Sequence, residues 1–530
     1  MHTAKRFTSG FGVLAGLARA ALGLSLGLVP SCMLDDAQGV DTGDDANASD
    51  PATDDGGVVT TTAACSNGRV RCLSHVRTAG VERRIVSRAA APQAGTLGAT
   101  ALQSAYGIDA TKLATAAKPT IAITDAFGYP NLEADLAVYR TQYGLPPCTT
   151  ANGCLKIVNQ RGLATGLPAA SADPMDDWTL ETALDVDMAS AACPLCNILV
   201  VQADDDRGNG LDVAQNTAVT LGATVISDSW GAPEVNTAQQ KQLIAQSDET
   251  FYKHPGVAIF VAAGDFGYND QIIANPANAG PGYPATSQYT ISVGATRLTK
   301  DATTTRGWKE VAWSFTLDPK TNMPDPNAGA GGSACSFSIP KPTYQTASPC
   351  AFKATADIAA VGDPVTAVAV YNTNVIGNAA PKGWIGVGGT SASAPFIAGI
   401  FAATGNGGQT SGKFISDNAT KMWDVTSGTN GTCTGQTVLC TAGTGWDGPT
   451  GFGTPNVKLL MPAATGTGSG SGTGSGTGSS DGSSSNSGNS SDGSSEGVSG
   501  GCSAGGSGAG AGSMLGLALV ASRLRRRRRA

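Results

Sequence analysis

Histidine is scarce in this sequence: 530 residues contain three, His2, His75 and His254. His2 falls in an export signal, His75 in a segment ahead of the main domain, and His254 between a helical stretch and a buried strand. None sits where a catalytic base is expected, which excludes the usual arrangement in which imidazole takes the proton of a serine nucleophile. No basic patch interrupts the core, so a nucleic-acid partner is excluded. The net charge of −7 comes largely from one acidic stretch near the N-terminus. CPLC at Cys193 and Cys196 has no second CxxC and no nearby histidine, which leaves zinc without a ligand set. The apolar patch at 514–521 is too short to cross a bilayer as an ordinary helix.

The ends of the chain are set apart by composition. Residues 1–31 carry Lys5 and Arg6, then an apolar run broken by Arg19 and a small residue before a cut, the layout of a signal peptide. VPSC, ending at Cys32, resembles a bacterial lipoprotein box, with ordinary cleavage nearby as the other reading. Residues 32–94 read as an acidic spacer and a short pre-domain segment. Within them, 35–57 have almost no large apolar side chains and cannot bury enough surface to offset their ordering entropy. Residues 463–512 are a Gly/Ser-rich stalk. Cys502, the short apolar segment and the terminal arginines of 513–530 together resemble the tripartite C-terminal sorting tags of myxobacterial surface proteins. A secreted or cell-surface protein, attached through Cys32 or through this tag, is the expectation. One domain, 95–462, remains.

Ten of the twelve cysteines fall into close neighbours: Cys65/Cys72, Cys148/Cys154, Cys193/Cys196, Cys335/Cys350 and Cys433/Cys440. An even set of local pairs in an exported chain reads as disulfides. CPLC is open to redox chemistry, but a small structural loop is the plainer reading.

The core alternates apolar runs with helical stretches: TIAITDA, then NLEADLAVYRTQYG; NILVVQA, then GLDVAQNTAVTLGA; ATVISDSWG, a helix, then GVAIFVAAGD. Such alternation predicts an α/β fold, a mostly parallel central sheet with helices on both faces. Chemistry then gathers at the carboxyl ends of strands, which singles out Asp125, Asp228 and Asp265. GGTSASAP at 388–395 has the small residues of a tight turn that exposes Ser391 ahead of a helix. DDWTLETALDVDMASAA reads as a helix with Asp177, Glu181 and Asp185 on one face and Asp187 on another. Taken alone these acids fit a solvated face. Held close, two carboxylates share a proton and one has its pKa raised well above about 4.

ETALD, AAGD and GGTSASAP together, with SDSWG, ADIAAVGDP and GWDGPTGFGTPN, resemble the sedolisin family of serine-carboxyl peptidases, which have a subtilisin-like fold with glutamate in place of histidine. The resemblance spans most of 95–462. It implies a single catalytic domain with Ser391 as nucleophile, Glu181 as general base and then acid, Asp185 orienting Glu181, and Asp265 at the oxyanion site. It implies an endopeptidase acting on polypeptide substrates through an acyl-enzyme at acidic pH, as a monomer. It also implies one calcium ion on the side chains of Asp424 and Asp447 with the carbonyls of Val425, Gly443 and Gly445; by spacing alone those glycine-rich stretches read as turns. SDSWG resembles the edge strand that pairs with substrate, Trp230 lining a pocket and Trp178 shielding the acids, or both packing in the core. A true subtilisin would use Asp125 and needs a histidine opening a helix, which is missing; Gly-x-Ser-x-Gly is missing too, and Ser393 is the close competitor of Ser391. A silent surface-binding protein on the same scaffold is the alternative. Against the family pattern, only about 60 residues lie between the acidic spacer and the first core strand, too few for a full pro-domain; VERRIVSRAAAPQAG, with its arginines at 81–88, is a candidate processing site or just a basic stretch.

Overall fold

The structure, a computed structural model, describes residues 59–65, 70–79, 91–109, 118–173, 175–207, 209–270, 280–314, 329–374 and 382–461. The export signal, Cys32, the acidic spacer, the basic stretch at 81–88, the stalk and the C-terminal tag lie outside the described residues.

The strand Thr120–Ala126 is apolar on both faces because both faces are covered, and it lies inside an eight-stranded sheet. Across that sheet the order is Trp308–Ala312, Ile291–Lys300, Ala258–Ala262, Val225–Asp228, Thr120–Ala126, Asn197–Ala203, Leu155–Asn159, with Ile358–Val361 also paired to Ile291–Lys300. Neighbours run parallel except at Trp308–Ala312, which is antiparallel. Asp125, Asp228 and Asp265 lie at or just past the carboxyl ends of three of these strands.

Two helices carry the residues of interest. Trp178–Ala192 is buried along its whole length, Glu181, Asp185 and Asp187 included, so these acids do not form the solvated face that their spacing alone fitted. Its N-cap Asp177 accepts the Leu180 N–H at 3.2 Å. Thr390–Ala403 is buried along its whole length too, and packs on Val225–Asp228 and Ala258–Ala262. The two helices run against each other, and Gly399 permits the close approach: a Cβ there would stand 2.6 Å from the Ala192 Cβ.

All five expected disulfides form between the expected neighbours. Residues 59–65 and 70–79, which the sequence sets ahead of the domain, are instead woven into it. Val59–Ala63 and His75–Ala79 form an antiparallel pair, His75–Ala79 joins Gly383–Gly388, and Arg71–Cys72 joins Trp230–Pro233. The first of these pairings is local, but the two that tie the segment to the domain span more than a hundred residues of chain, so no local pattern announces them. Among the described residues no helix is long and apolar enough to cross a membrane.

Candidate active site

Ser391 is the second residue of its helix, and Gly389 before it takes φ +112°, a conformation that favours glycine. Contrary to the exposed serine expected from the turn, Ser391 is completely buried, because residues 73–75 lie over it. Its N–H donates to the Leu73 carbonyl at 3.0 Å and its Oγ donates to the Ser229 carbonyl at 3.2 Å. Ser393 has a different occupation: its hydroxyl lies within hydrogen-bond distance of the Ala360 and Val361 carbonyls, which ties it to the sheet.

Glu181, Asp185 and Asp125 form a buried acidic cluster beside Ser391. Glu181 is raised well above its usual range by burial first and then by the charge of Asp125, against the hydroxyls of Ser391 and Ser74 close by. In this arrangement neither hydroxyl donates to it, and both carboxyl oxygens are without a partner among the described residues. Asp185 is raised by burial, by Asp125 and by Glu181; its Oδ1 accepts from Ser229 Oγ at 2.9 Å and its Oδ2 has no partner. Asp125 is raised to about 7 by burial, and both of its oxygens are unpartnered; the nearby Thr182 hydroxyl donates to the Trp178 carbonyl at 2.9 Å instead. Three buried acids that raise one another cannot all be ionised, so they hold protons among themselves. Asp187 points elsewhere and accepts from the Tyr371 N–H at 3.1 Å.

Asp265, just past the strand Ala258–Ala262, is bonded to the residue before Ser391. Its Oδ1 accepts from the Thr390 N–H and from Thr390 Oγ1, each at 2.8 Å. Its Oδ2 is buried, has no hydrogen-bond partner, and lies 3.6 Å from His75 Nε2. Burial pushes Asp265 up to about 8, overriding the two bonds from Thr390. It therefore carries a proton through acidic and neutral pH and can donate it. His75 is wedged edge-on against Phe266 and Trp313. His254 is engaged by Asn216 and Phe251.

The structure thus brings Ser391, Glu181, Asp185 and Asp265 around one point. Sequence reasoning missed two neighbours. In the sequence Asp125 stands out as a strand end and as the acid of the rejected subtilisin reading, and its position at the carboxyl edge is the available signal. His75 had none. Trp230 is fully buried, donates to the Thr124 carbonyl at 2.8 Å, and packs in the core. Trp178 is buried as well.

Asp424 and Asp447 meet around the 443–447 loop. Gly443 N–H donates to Asp447 Oδ2 at 2.9 Å and Gly445 N–H donates to Asp424 Oδ2 at 3.0 Å. Burial first, then the charge of Asp424 among its neighbours, raises Asp447 to about 7. Two carboxylates that repel each other in a glycine-rich loop suit a hard cation whose remaining ligands are carbonyl oxygens. Among the described residues there is no group of three or more His, Cys, Asp or Glu side chains placed to hold a metal.

A twisted parallel sheet, a serine opening a buried helix and acids at the strand ends define a class, and the family comparison agrees: residues 169–453 match the subtilase family, and the chain belongs to it. Kumamolisin from Bacillus sp. (strain MN-32) is 29% identical over 321 residues, covering 56% of this chain and 52% of the relative. Sedolisin from Pseudomonas sp. (strain 101) is 29% identical over 376 residues, covering 66% of this chain and 59% of the relative. The chain thus spans between half and three-fifths of the length of these curated relatives. A solved structure of Pseudomonas sedolisin matches the fold with a TM-score of 0.54 at 24% identity, covering 69% of this chain and 96% of that one.

Proposed function

We propose that this protein is a secreted or surface-tethered serine-carboxyl endopeptidase of the sedolisin type, hydrolysing polypeptides at acidic pH through an acyl-enzyme. The observation that carries the reading is the burial of Glu181, Asp185 and Asp125 beside Ser391 with five of their six carboxyl oxygens unpartnered. Glu181 takes the proton of Ser391 Oγ as that oxygen attacks the substrate carbonyl, and returns it to the leaving amine. Ser391 reaches Glu181 by exchanging its bond to the Ser229 carbonyl, a rotation about one side-chain torsion; such bonds tighten only with substrate in place. Asp185, fixed by Ser229, orients Glu181 and shares its proton. The Ser391 N–H and protonated Asp265 stabilise the developing oxyanion. Five disulfides support export.

The loop around Asp424 and Asp447 is proposed to hold one calcium ion, completed by the carbonyls of Val425, Gly443 and Gly445. Bound there, the ion neutralises two repelling carboxylates and braces the loop closed by Cys433 and Cys440.

The test is hydrolysis of a denatured protein across pH by the purified chain and its Ser391→Ala variant. Activity is expected to peak below neutrality, to vanish in the variant, and to fall as pH rises through about 8, where Asp265 loses its proton. Asp265→Asn, which donates without protonation, is expected to extend activity to higher pH. A peak above pH 8, or an equally active Ser391→Ala, overturns the reading.

A further inference from the structure

The residues that bury Ser391 are arranged like a substrate. Arg71 and Cys72 pair antiparallel with Gly231 and Trp230, and the Leu73 N–H continues the ladder by donating to the Ser229 carbonyl at 3.1 Å. The Leu73 carbonyl then accepts the N–H of Ser391 itself. A Cβ on Gly389 would stand 2.2 Å from that carbonyl oxygen and 2.8 Å from Asp265 Oδ2, so oxygen and acid border the same small space above the bare glycine. Ser74, the next residue, sets its hydroxyl beside Glu181, and His75 leaves the cleft paired with Gly388. A chain added in extended form to a free strand edge, with one carbonyl on the N–H of the nucleophile, is the posture of a peptide bond about to be cut.

The side chains add specificity. Leu73 lines a cavity of about 40 Å³ together with Gly231, Ala262, Ala263, Gly264 and Phe266. Glycines and alanines make much of its wall, so a leucine-sized or slightly larger apolar group fits beside them. Arg71 lines the same cavity and faces buried Asp270.

We infer that Leu73–Ser74 is a bond this enzyme cuts in its own chain, and that its cleft prefers an apolar residue before the cut and a basic residue two positions earlier. The inference rests on the proposed peptidase activity. Ser391 Oγ bonds to the Leu73 carbonyl carbon while its proton passes to Glu181; the Leu73–Ser74 C–N bond breaks and the Ser74 nitrogen takes that proton. Water then hydrolyses the Leu73 ester, leaving a carboxyl on Leu73 and a free Ser391. The basic stretch at 81–88 is not needed as a processing site.

The full-length chain and its Ser391→Ala variant, acidified to about pH 4 where Asp265 is protonated, are read by intact mass and N-terminal sequencing. A new N-terminus at Ser74 is expected in the first and none in the second. Leu73→Asp is expected to slow the cut about tenfold or more, and an added peptide containing Arg-Ala-Leu-Ser to be cleaved faster than its Arg-Ala-Asp-Ser counterpart by a similar factor. If the chain hydrolyses added peptides but keeps Leu73–Ser74 intact, or is cut within 81–88, the inference falls and the activity stands. If it cuts neither itself nor any added peptide, the activity itself falls.

Discussion

Glu181 and Glu310 are both buried carboxyl groups, and the molecule treats them oppositely. Burial alone would raise Glu310, but Arg306 and the hydroxyls of Thr296, Thr454 and Tyr106 together hold it below its usual range. Tyr106 and Thr296 donate to one oxygen and Thr454 to the other, each at 2.6 Å, while Arg306 Nη1 pairs with the second oxygen. Glu181, equally hidden, has acids for neighbours and no bonded partner. Depth therefore does not set charge; the groups that line the cavity do. Glu310 is wired for stability, and Glu181 is held at a cost to stability, which under the proposed mechanism keeps its proton free to move.

Exchanging each glutamate for glutamine breaks this contrast most sharply. Glu181→Gln is expected to lower kcat by about 10³-fold or more, with melting temperature unchanged or raised, since it removes a repelling acid. Glu310→Gln strands the buried Arg306 guanidinium and is expected to cost about 3–5 kcal/mol of stability, with activity lost only as the protein unfolds. Activity and thermal melting on both variants check this; a reversed pattern sinks the comparison.

Melting against pH sharpens it. The raised acids, Asp265 and Asp228 at about 8 and Asp125 at about 7, bind more protons folded than unfolded. Stability is thus fully present below the unfolded value near 4 and is lost as pH climbs through 7 to 8. Glu310 has the opposite sign and gives up its contribution only in stronger acid. A melting temperature higher by several degrees at about pH 4.5 than at pH 8 is expected, and a flat profile contradicts it.

The smallest effect concerns the Asp424/Asp447 loop. Excess chelator is expected to lower the melting temperature by a few degrees, leaving the acids around Ser391 in place. Unchanged melting in calcium and in chelator counts against the ion.

What could be read from the sequence follows from what is local. Continuous apolar runs gave away parallel strands, close cysteines gave away their partners, and the four-residue spacing of Glu181 and Asp185 put them on one helix face. Pairings made at long range could not be read. The hairpin of Val59–Ala63 and His75–Ala79 and the short Arg71–Cys72 have no apolar pattern of their own, and they join the domain through partners far along the chain, Gly383–Gly388 and Trp230–Pro233. Missing them made Ser391 look open and left His75 unplaced. Asp125 escaped for a related reason: an aspartate ending a strand is common, and only the convergence of a helix from another part of the chain turns it into a third acid.

The position of the Cys65–Cys72 bridge fixes what a cut at Leu73 can release. Both sulfurs lie upstream, so no covalent link would survive between the severed leader and the new N-terminus at Ser74. The leader would be held without a covalent link, by the ladder from Val59–Ala63 to His75–Ala79, by Arg71–Cys72 beside Gly231 and Trp230, and by the bridge of Cys65 to Asp176. Whatever anchors the front of the chain would then part from the enzyme by simple dissociation, at a rate set by hydrogen bonds rather than by reduction of a disulfide.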